Sequence, residues 1–200
     1  MPRIAEDRLP AQPSSPEQES RRQAILRAAA HHGAEKGLER VQMHDVAKDA
    51  GVAIATLYRY FPSKTHLFNA LLSDRVKHLA ETTPLPGPGV DRVQAVSDLL
   101  VGGGRELLSR PLLAHAMLQS NLAAVAQAGG VVTNRFSGLI TQLLGVEHAS
   151  DAQVRLVRIT EAAWYGVLNA ALNHHITAEQ AEEDTRVACR KLLSGIEELA

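Results

Sequence analysis

From Ser20 onward, apolar residues recur at spacings of three and four between short polar breaks, a pattern that predicts helices throughout. The first predicted helix runs from Arg21 to about Lys36, with Ile25, Ala28, Ala29 and His32 on one face and Gly37 closing its C-terminus. A second covers Met43 to Ala50, with Val46, Ala47 and Ala50 turned inward. Gly51 follows, where the chain must reverse through a left-handed backbone. The third runs from Ile54 to Phe61, and its Leu57 and Phe61, four apart, share the buried face. Pro62 ends it, because proline lacks an N–H and restricts the residue before it. Ser63 is the N-cap of a fourth helix reaching about Glu81, with Leu67, Phe68, Leu71 and Leu72 as its stripe.

The run Pro84-Leu85-Pro86-Gly87-Pro88-Gly89 is the strongest break in the chain. Five helices are predicted beyond it. They are Asp91 to Ser109, softly interrupted at Gly102-Gly103-Gly104; Pro111 to Ala128; Val131 to Leu144; a Ser150-capped helix to His175; and a Thr177-capped helix to Leu199. Before Ser20 the chain is rich in Pro, Gln, Ser and charge, with little to bury, which predicts disorder. The expected organisation is therefore an all-α chain in four parts. Residues 1–19 form a disordered arm, 20–82 a three-helix DNA-binding domain with its connecting helix, 83–90 a linker, and 91–200 a helical ligand-binding and dimerisation domain.

The DNA-binding expectation comes from the stretch Met43–Phe61. Once Leu57 and Phe61 are turned inward, the third helix is left with Thr56, Tyr58, Arg59 and Tyr60 outside, which are hydrogen-bonding and stacking groups. A short helix with such a face, after a glycine corner, has the form of a helix-turn-helix recognition helix. Charge agrees. Ser20 to Ala80 holds ten Lys/Arg and five Asp/Glu, whereas residues 1–19 carry a net −2 and residues 81–200 a net −4. The basic section coincides with the motif, as phosphate binding requires. No run of eighteen apolar residues predicts a membrane span, and the acidic, proline-containing N-terminus does not read as a signal peptide. A lone Cys189 forms no intrachain disulfide, which fits a reducing cytoplasm.

These residues carry a resemblance. Thr56-Leu57-Tyr58-Arg59-Tyr60-Phe61-Pro62-Ser63-Lys64, preceded by Val46-Ala47 and Ala50-Gly51-Val52, resembles the signature of the TetR family of bacterial transcriptional repressors. Val41-Gln42-Met43, with Arg110-Pro111-Leu112-Leu113 and Ala116-Met117, is similar to the actinobacterial regulators of steroid degradation. The family resemblance implies that Gln42, Met43 and His44 lie where members touch phosphate and sometimes a base. It implies that Ala53, Ile54 and Ala55 point into the major groove, where three apolar side chains offer methyl contacts with thymine and no hydrogen-bond readout. Thr56, Tyr60 and Lys64 match phosphate contacts, and Tyr58 and Arg59 match positions reaching backbone or base edges. Arg59 is the best candidate for reading a guanine. Lys64 also sits in a helix first turn, where an anion is favoured.

The last two predicted helices ask for a partner. Val154, Val157, Glu161, Trp164, Leu168 and Leu172 make one stripe; Leu156, Ile159, Ala163, Val167 and Ala170 make another. A helix apolar on two sides must be covered on two sides. The expected cover is a second copy, through Ala163, Gly166, Ala170, Val187, Leu192 and Ile196 in a two-fold four-helix bundle; the other account is a monomer that covers both stripes itself. Met117, Leu118, Asn121, Phe136, Ile140, Trp164, Tyr165 and Leu168 are candidates for a small-molecule site, being large apolar groups with a few polar handles; taken singly, each also reads as ordinary core. Nine histidines show no metal-ligand spacing, and no catalytic motif, metal site or cofactor is expected. The partners expected are a double-stranded DNA operator, a small apolar effector such as a steroid or its CoA thioester, and a second copy of the chain. The alternatives are a multidrug or antibiotic sensor, or an effectorless structural DNA-binding protein.

Overall fold

The computed structural model describes residues 10–127 and 135–199, and every regular element among them is helical. The elements are α1 (Pro16–Arg40), α2 (Met43–Asp49), α3 (Ile54–Tyr60), α4 (Lys64–Thr82), α5 (Arg92–Leu108), α6 (Pro111–Gln127), α7 (Arg135–Leu143), α8 (Asp151–Leu172) and α9 (Ala178–Leu193). A 3₁₀ turn, Ile196–Leu199, follows α9. Gly129-Gly130 and the predicted helical start at Val131 lie outside the described residues.

The described residues form two compact units, 10–75 with 110–127, and 76–109 with 135–199. This differs from a boundary at residues 83–90. Helix α6, which sequence order places with the C-terminal domain, packs on α1 in the first unit. The physical reason lies partly at Gly33. A Cβ there would fall 2.6 Å from Phe68 Cε1 and 2.9 Å from Leu113 Cδ1, so the bare glycine lets α4 and α6 both close on α1.

Helix α1 also starts earlier than expected, so residues 16–19 are helical rather than disordered. The Ser15 side chain accepts from the Gln18 backbone N–H at 3.3 Å, Pro16 stands in the first turn, and Glu17 and Glu19 complement the helix dipole there. Ahead of the helix, the Ala11 backbone N–H donates to the Arg59 carbonyl at 3.0 Å, tying this segment to the end of α3. Gly37, expected as the terminal residue of the helix, interrupts α1 at φ 69° and ψ 169°; one more turn follows it to Arg40.

Within the second unit, Val96, Leu100, Phe136, Ile140, Leu143, Cys189 and Leu193 form the buried core. The expected interruption of α5 at Gly102–Gly104 does not occur. Instead Gly103 and Gly104 present bare backbone to Trp164 and Leu168: added Cβ atoms would lie 3.6 Å and 3.4 Å from them. The Trp164 Nε1–H donates to the Leu100 carbonyl at 3.0 Å, and its ring stacks on Phe136 at 5.1 Å. Ser150 and Thr177 cap their helices as expected, and each forms a capping box, with Gln153 and with Gln180. The last helix stops at Leu193 rather than Leu199, and Gly195, at φ 73°, turns the chain into the 3₁₀ segment. Among the described residues no helix is long and apolar enough to cross a membrane.

Candidate nucleic-acid interface

Three helices fix the motif. On α1, Ile25, Ala29 and His32 are buried, as their spacing predicts. Val46 and Ala47 from α2 and Leu57 from α3 complete the small core. Gly51, at φ 66°, makes the corner, and the Val52 N–H donates to the Ala47 carbonyl at 3.0 Å. His32 is only 6 % exposed, yet its Nε2 stands 2.8 Å from Asp49 Oδ2, which ties α1 to the end of α2. A polar residue on an otherwise apolar stripe was the sequence signal for this clamp.

The predicted contact residues then separate into two groups. Gln42, His44, Ala53, Ile54, Ala55, Tyr58 and Arg59 are exposed, and Thr56 is half-buried. Met43 and Tyr60 are not available in the same way: they are 8 % and 2 % exposed and belong to the core of the first unit. For both the correction has one cause. On so short a helix the inner face needs a residue at each end, and Met43 on α2 and Tyr60 on α3 supply it. The Tyr60 ring carries the Arg59 guanidinium at 5.1 Å, with Arg59 Nη2 at 3.5 Å from the Tyr60 hydroxyl.

Lys64 is held too. Its Nζ donates to the carbonyls of Leu38 and Glu39 at 3.1 Å each, two of the acceptors that the end of α1 leaves without an intrahelical partner. An ammonium has three donors, so one is left for an anion. Ser63 caps α4, its Oγ accepting from the His66 N–H at 3.2 Å. Lys36 Nζ and Asp45 Oδ2 add a half-exposed pair at 3.5 Å.

The candidate ligand residues are not gathered in one unit. Met117, Leu118 and Asn121 lie on α6 in the first; Phe136, Ile140, Trp164, Tyr165 and Leu168 lie in the second. Phe136, Ile140 and Leu168 are core there. A cavity of about 130 Å³ in the second unit is lined by Arg92, Val93, Leu144, Leu193 and residues 195–198, none of them among the eight. It is smaller than the roughly 300–1,000 Å³ a small-molecule site occupies. Ser120, on α6, was not singled out by pattern: it is 1 % exposed, and its hydroxyl has no partner among the described residues. The hydroxyls of Ser73, Thr82, Thr141, Thr160 and Thr185 all return to the carbonyl four residues back; Ser120 does not. A single serine in an apolar helix gives no sequence signal of this.

On the candidate dimer surface, Gly166 and Val187 are exposed, and Ala163, Ala170 and Leu192 are half-buried. Ile196, expected at the interface, is instead only 2 % exposed and fills its own unit's core, because the Gly195 turn folds it back. Val154 and Ile159 on α8 are 53 % and 41 % exposed. Burial pushes the Cys189 thiol up to about 11, so it stays protonated at neutral pH and serves as core rather than as a nucleophile. Among the described residues no group of three potential ligands could hold a metal ion.

Comparison with known proteins agrees with this geometry. Residues 25–71 match the family model for bacterial regulatory proteins of the tetR family, and residues 89–192 match that of the tetracyclin repressor-like C-terminal domain. The chain is 31 % identical over 185 residues to the HTH-type transcriptional repressor KstR of Mycolicibacterium smegmatis, covering 90 % of each chain. It is 30 % identical over 187 residues to KstR of Rhodococcus jostii, covering 90 % of this chain and 86 % of that one. A solved TetR transcriptional regulator from Rhodococcus sp. RHA1 is 42 % identical, with a TM-score of 0.74 over 87 % of this chain and 97 % of that chain.

Proposed function

The chain belongs to the TetR family of bacterial transcriptional regulators, and from that premise we propose that it represses from a palindromic operator, binding as a dimer and released by a small apolar effector. The observation that carries the DNA reading is the outer surface of α2 and α3, where Gln42, His44, Ala53, Ile54, Ala55, Tyr58 and Arg59 stand exposed on a braced core. Two such helices, one per subunit, sit in successive major grooves roughly 34–36 Å apart. The dimer reading is supported by exposed apolar side chains on the last two helices, Val154 and Ile159 on α8 and Val187 on α9, for which a second copy would supply cover.

An effector that prefers the state unable to span both grooves lowers operator affinity. DNA weakens effector binding by the same factor, typically about 1–3 kcal/mol of coupling. The similarity of residues 41–43, 110–113 and 116–117 to regulators of steroid degradation favours a steroid or its CoA thioester over a multidrug ligand. Native mass spectrometry of protein isolated from its source cell tests this: a co-purified mass of that class supports it. Protein that carries no ligand, and whose operator binding no steroid alters, returns the chain to the effectorless reading. That second reading is favoured by Trp164, whose N–H is already satisfied by Leu100.

Two residues give measurable signatures on DNA. If Lys64 spends its third donor on a phosphate, Lys64→Ala weakens binding to all sequences alike. The slope of log K against log salt then falls by about one. An unchanged slope with lowered thermal stability would confine Lys64 to clasping the end of α1. Arg59→Ala is expected to cost about 1–3 kcal/mol on the operator and to relax one base position in each half-site. Equal weakening across all sequences would make Arg59 a phosphate contact instead.

A further inference from the structure

Two side chains of the first unit stand where local rules disfavour them. His32 lies on the apolar face of α1, and its buried Nδ1 has no partner among the described residues. An unmet polar atom in a core lowers stability, whereas an aliphatic side chain of similar size would not. Asp49 is the last residue of α2, an acid at the helix end whose dipole disfavours negative charge. Each misplacement is answered by the other, since His32 Nε2 stands 2.8 Å from Asp49 Oδ2. A carboxylate only accepts, so Nε2 carries the proton and donates.

This bond is one of two rungs between α1 and α2. One turn beyond His32, Lys36 Nζ lies 3.5 Å from Asp45 Oδ2, one turn before Asp49. The Lys36 rung is exposed at both ends, so water and salt weaken it. The His32 side chain is only 8 % exposed, which shields its rung from one side. Asp49 is also where the motif turns. The N–H groups of Ala50, Gly51 and Val52 donate to the carbonyls of Val46, Lys48 and Ala47 at 2.9, 3.1 and 3.0 Å, and Ala53 then caps α3. Tying Asp49 to α1 therefore fixes the corner from which the recognition helix leaves.

We infer that His32 is a positioning residue for DNA recognition: through Asp49 it sets the corner before α3, and it does so while making the domain less stable than an aliphatic residue would. The inference rests on the helix-turn-helix reading above and deepens it. A surface held in its bound geometry loses less freedom on docking. Without the rung, the start of α3 samples more orientations in the free protein, and apparent affinity falls by the fraction that can dock. Base contacts need one register, whereas phosphate contacts tolerate several, so the loss falls on the operator more than on random DNA.

The test uses the full-length protein and a duplex it selects from a randomised DNA pool. His32→Leu, which removes the unmet nitrogen and favours the helix, should melt at or above the wild-type temperature. Its affinity for the selected duplex should nevertheless fall about tenfold, as for one charge-assisted hydrogen bond, with a much smaller change on random DNA. Hydrogen exchange at the Gly51 and Val52 amides should quicken. Asp49→Asn and Asp49→Ala both remove the charge, but only asparagine keeps an acceptor for the Nε2–H. The asparagine variant should therefore bind about tenfold more tightly than the alanine variant. If His32→Leu binds as the wild type does, or loses stability and affinity together, His32 only packs; the inference fails and the helix-turn-helix reading stands. Equal binding by the two Asp49 variants would overturn the part given to this bond. If the wild type enriches no duplex, both readings fall together.

Discussion

Gly166→Leu is expected to turn the proposed dimer into monomers while leaving the fold of each chain intact. Inside the protomer there is room for a side chain to start: a Cβ at Gly166 would meet no heavy atom within 4 Å, and the position is exposed on a helical backbone. Replacing a mid-helix glycine with leucine even favours the helix, by up to about 1 kcal/mol. Any loss must therefore come from a partner. Ala163 and Ala170 flank the position by one turn on either side and are half-buried, the small-residue surface that a close helix crossing uses. Overpacking a tight contact costs about 1–3 kcal/mol per site, and a two-fold axis imposes it twice. Sedimentation at micromolar concentration should show monomers, circular dichroism should show wild-type helix content, and operator affinity should fall because a monomer offers one recognition helix. A mutant dimer as tight as the wild type would move the interface to another part of α8 and α9, with Val154 and Val187 the next residues to substitute.

Gly33→Leu should have the opposite profile. Here the added Cβ alone would fall 2.6 Å from Phe68 Cε1, and the Phe68 ring, 0 % exposed, has nowhere to turn. Leu113 Cδ1, at 2.9 Å, lies at the flexible end of its side chain and yields more easily. The aromatic contact therefore decides the outcome. Helix propensity returns up to about 1 kcal/mol, against an overpacking cost at or above the upper end of about 1–3 kcal/mol. A lowered melting temperature is expected, about 2–4 °C for each net kcal/mol in a chain of this size. Operator affinity should fall with it, because α1 is the brace on which α2 and α3 are set. Gly33→Ala should lie between wild type and Gly33→Leu. A leucine variant that melts with the wild type would mean that α4 and α6 approach α1 less closely than these distances require. Together the two glycines separate folding from assembly, one failing in the melting curve and the other in the sedimentation profile.

Much was legible in the sequence because it is local. Helix positions follow from a 3.6-residue period, and the ends follow from caps: Ser63, Ser150 and Thr177 each receive the N–H three residues on. Gly37 and Gly51 were readable as breaks because both take positive φ, at 69° and 66°, where a side chain is strained. The early start of α1 was written just as locally, in Ser15-Pro16-Glu17, but the charge and proline content of the arm outweighed it. The recognition helix itself was identifiable from the order of residues alone, since its inner and outer faces alternate within seven residues.

What the sequence could not decide is which neighbour each face meets. Periodicity assigns a residue to a side of its own helix; burial is a property of two helices together. Thus Met43 and Tyr60, read as DNA-facing, are held in the first unit's core, and Ile196, read as interface, closes the core of the second. Lys64 looked free for phosphate because nothing near it in sequence reveals that the carbonyls of Leu38 and Glu39 end beside its ammonium. Helix α6 follows the proline-glycine break in the chain yet packs on α1, since the space over Gly33, which only three helices together define, is what admits Leu113. The sequence determined the helices, the motif and the family. The tertiary structure alone decided which of their side chains are buried and which stay exposed, because each buried contact is shared between residues far apart in the chain.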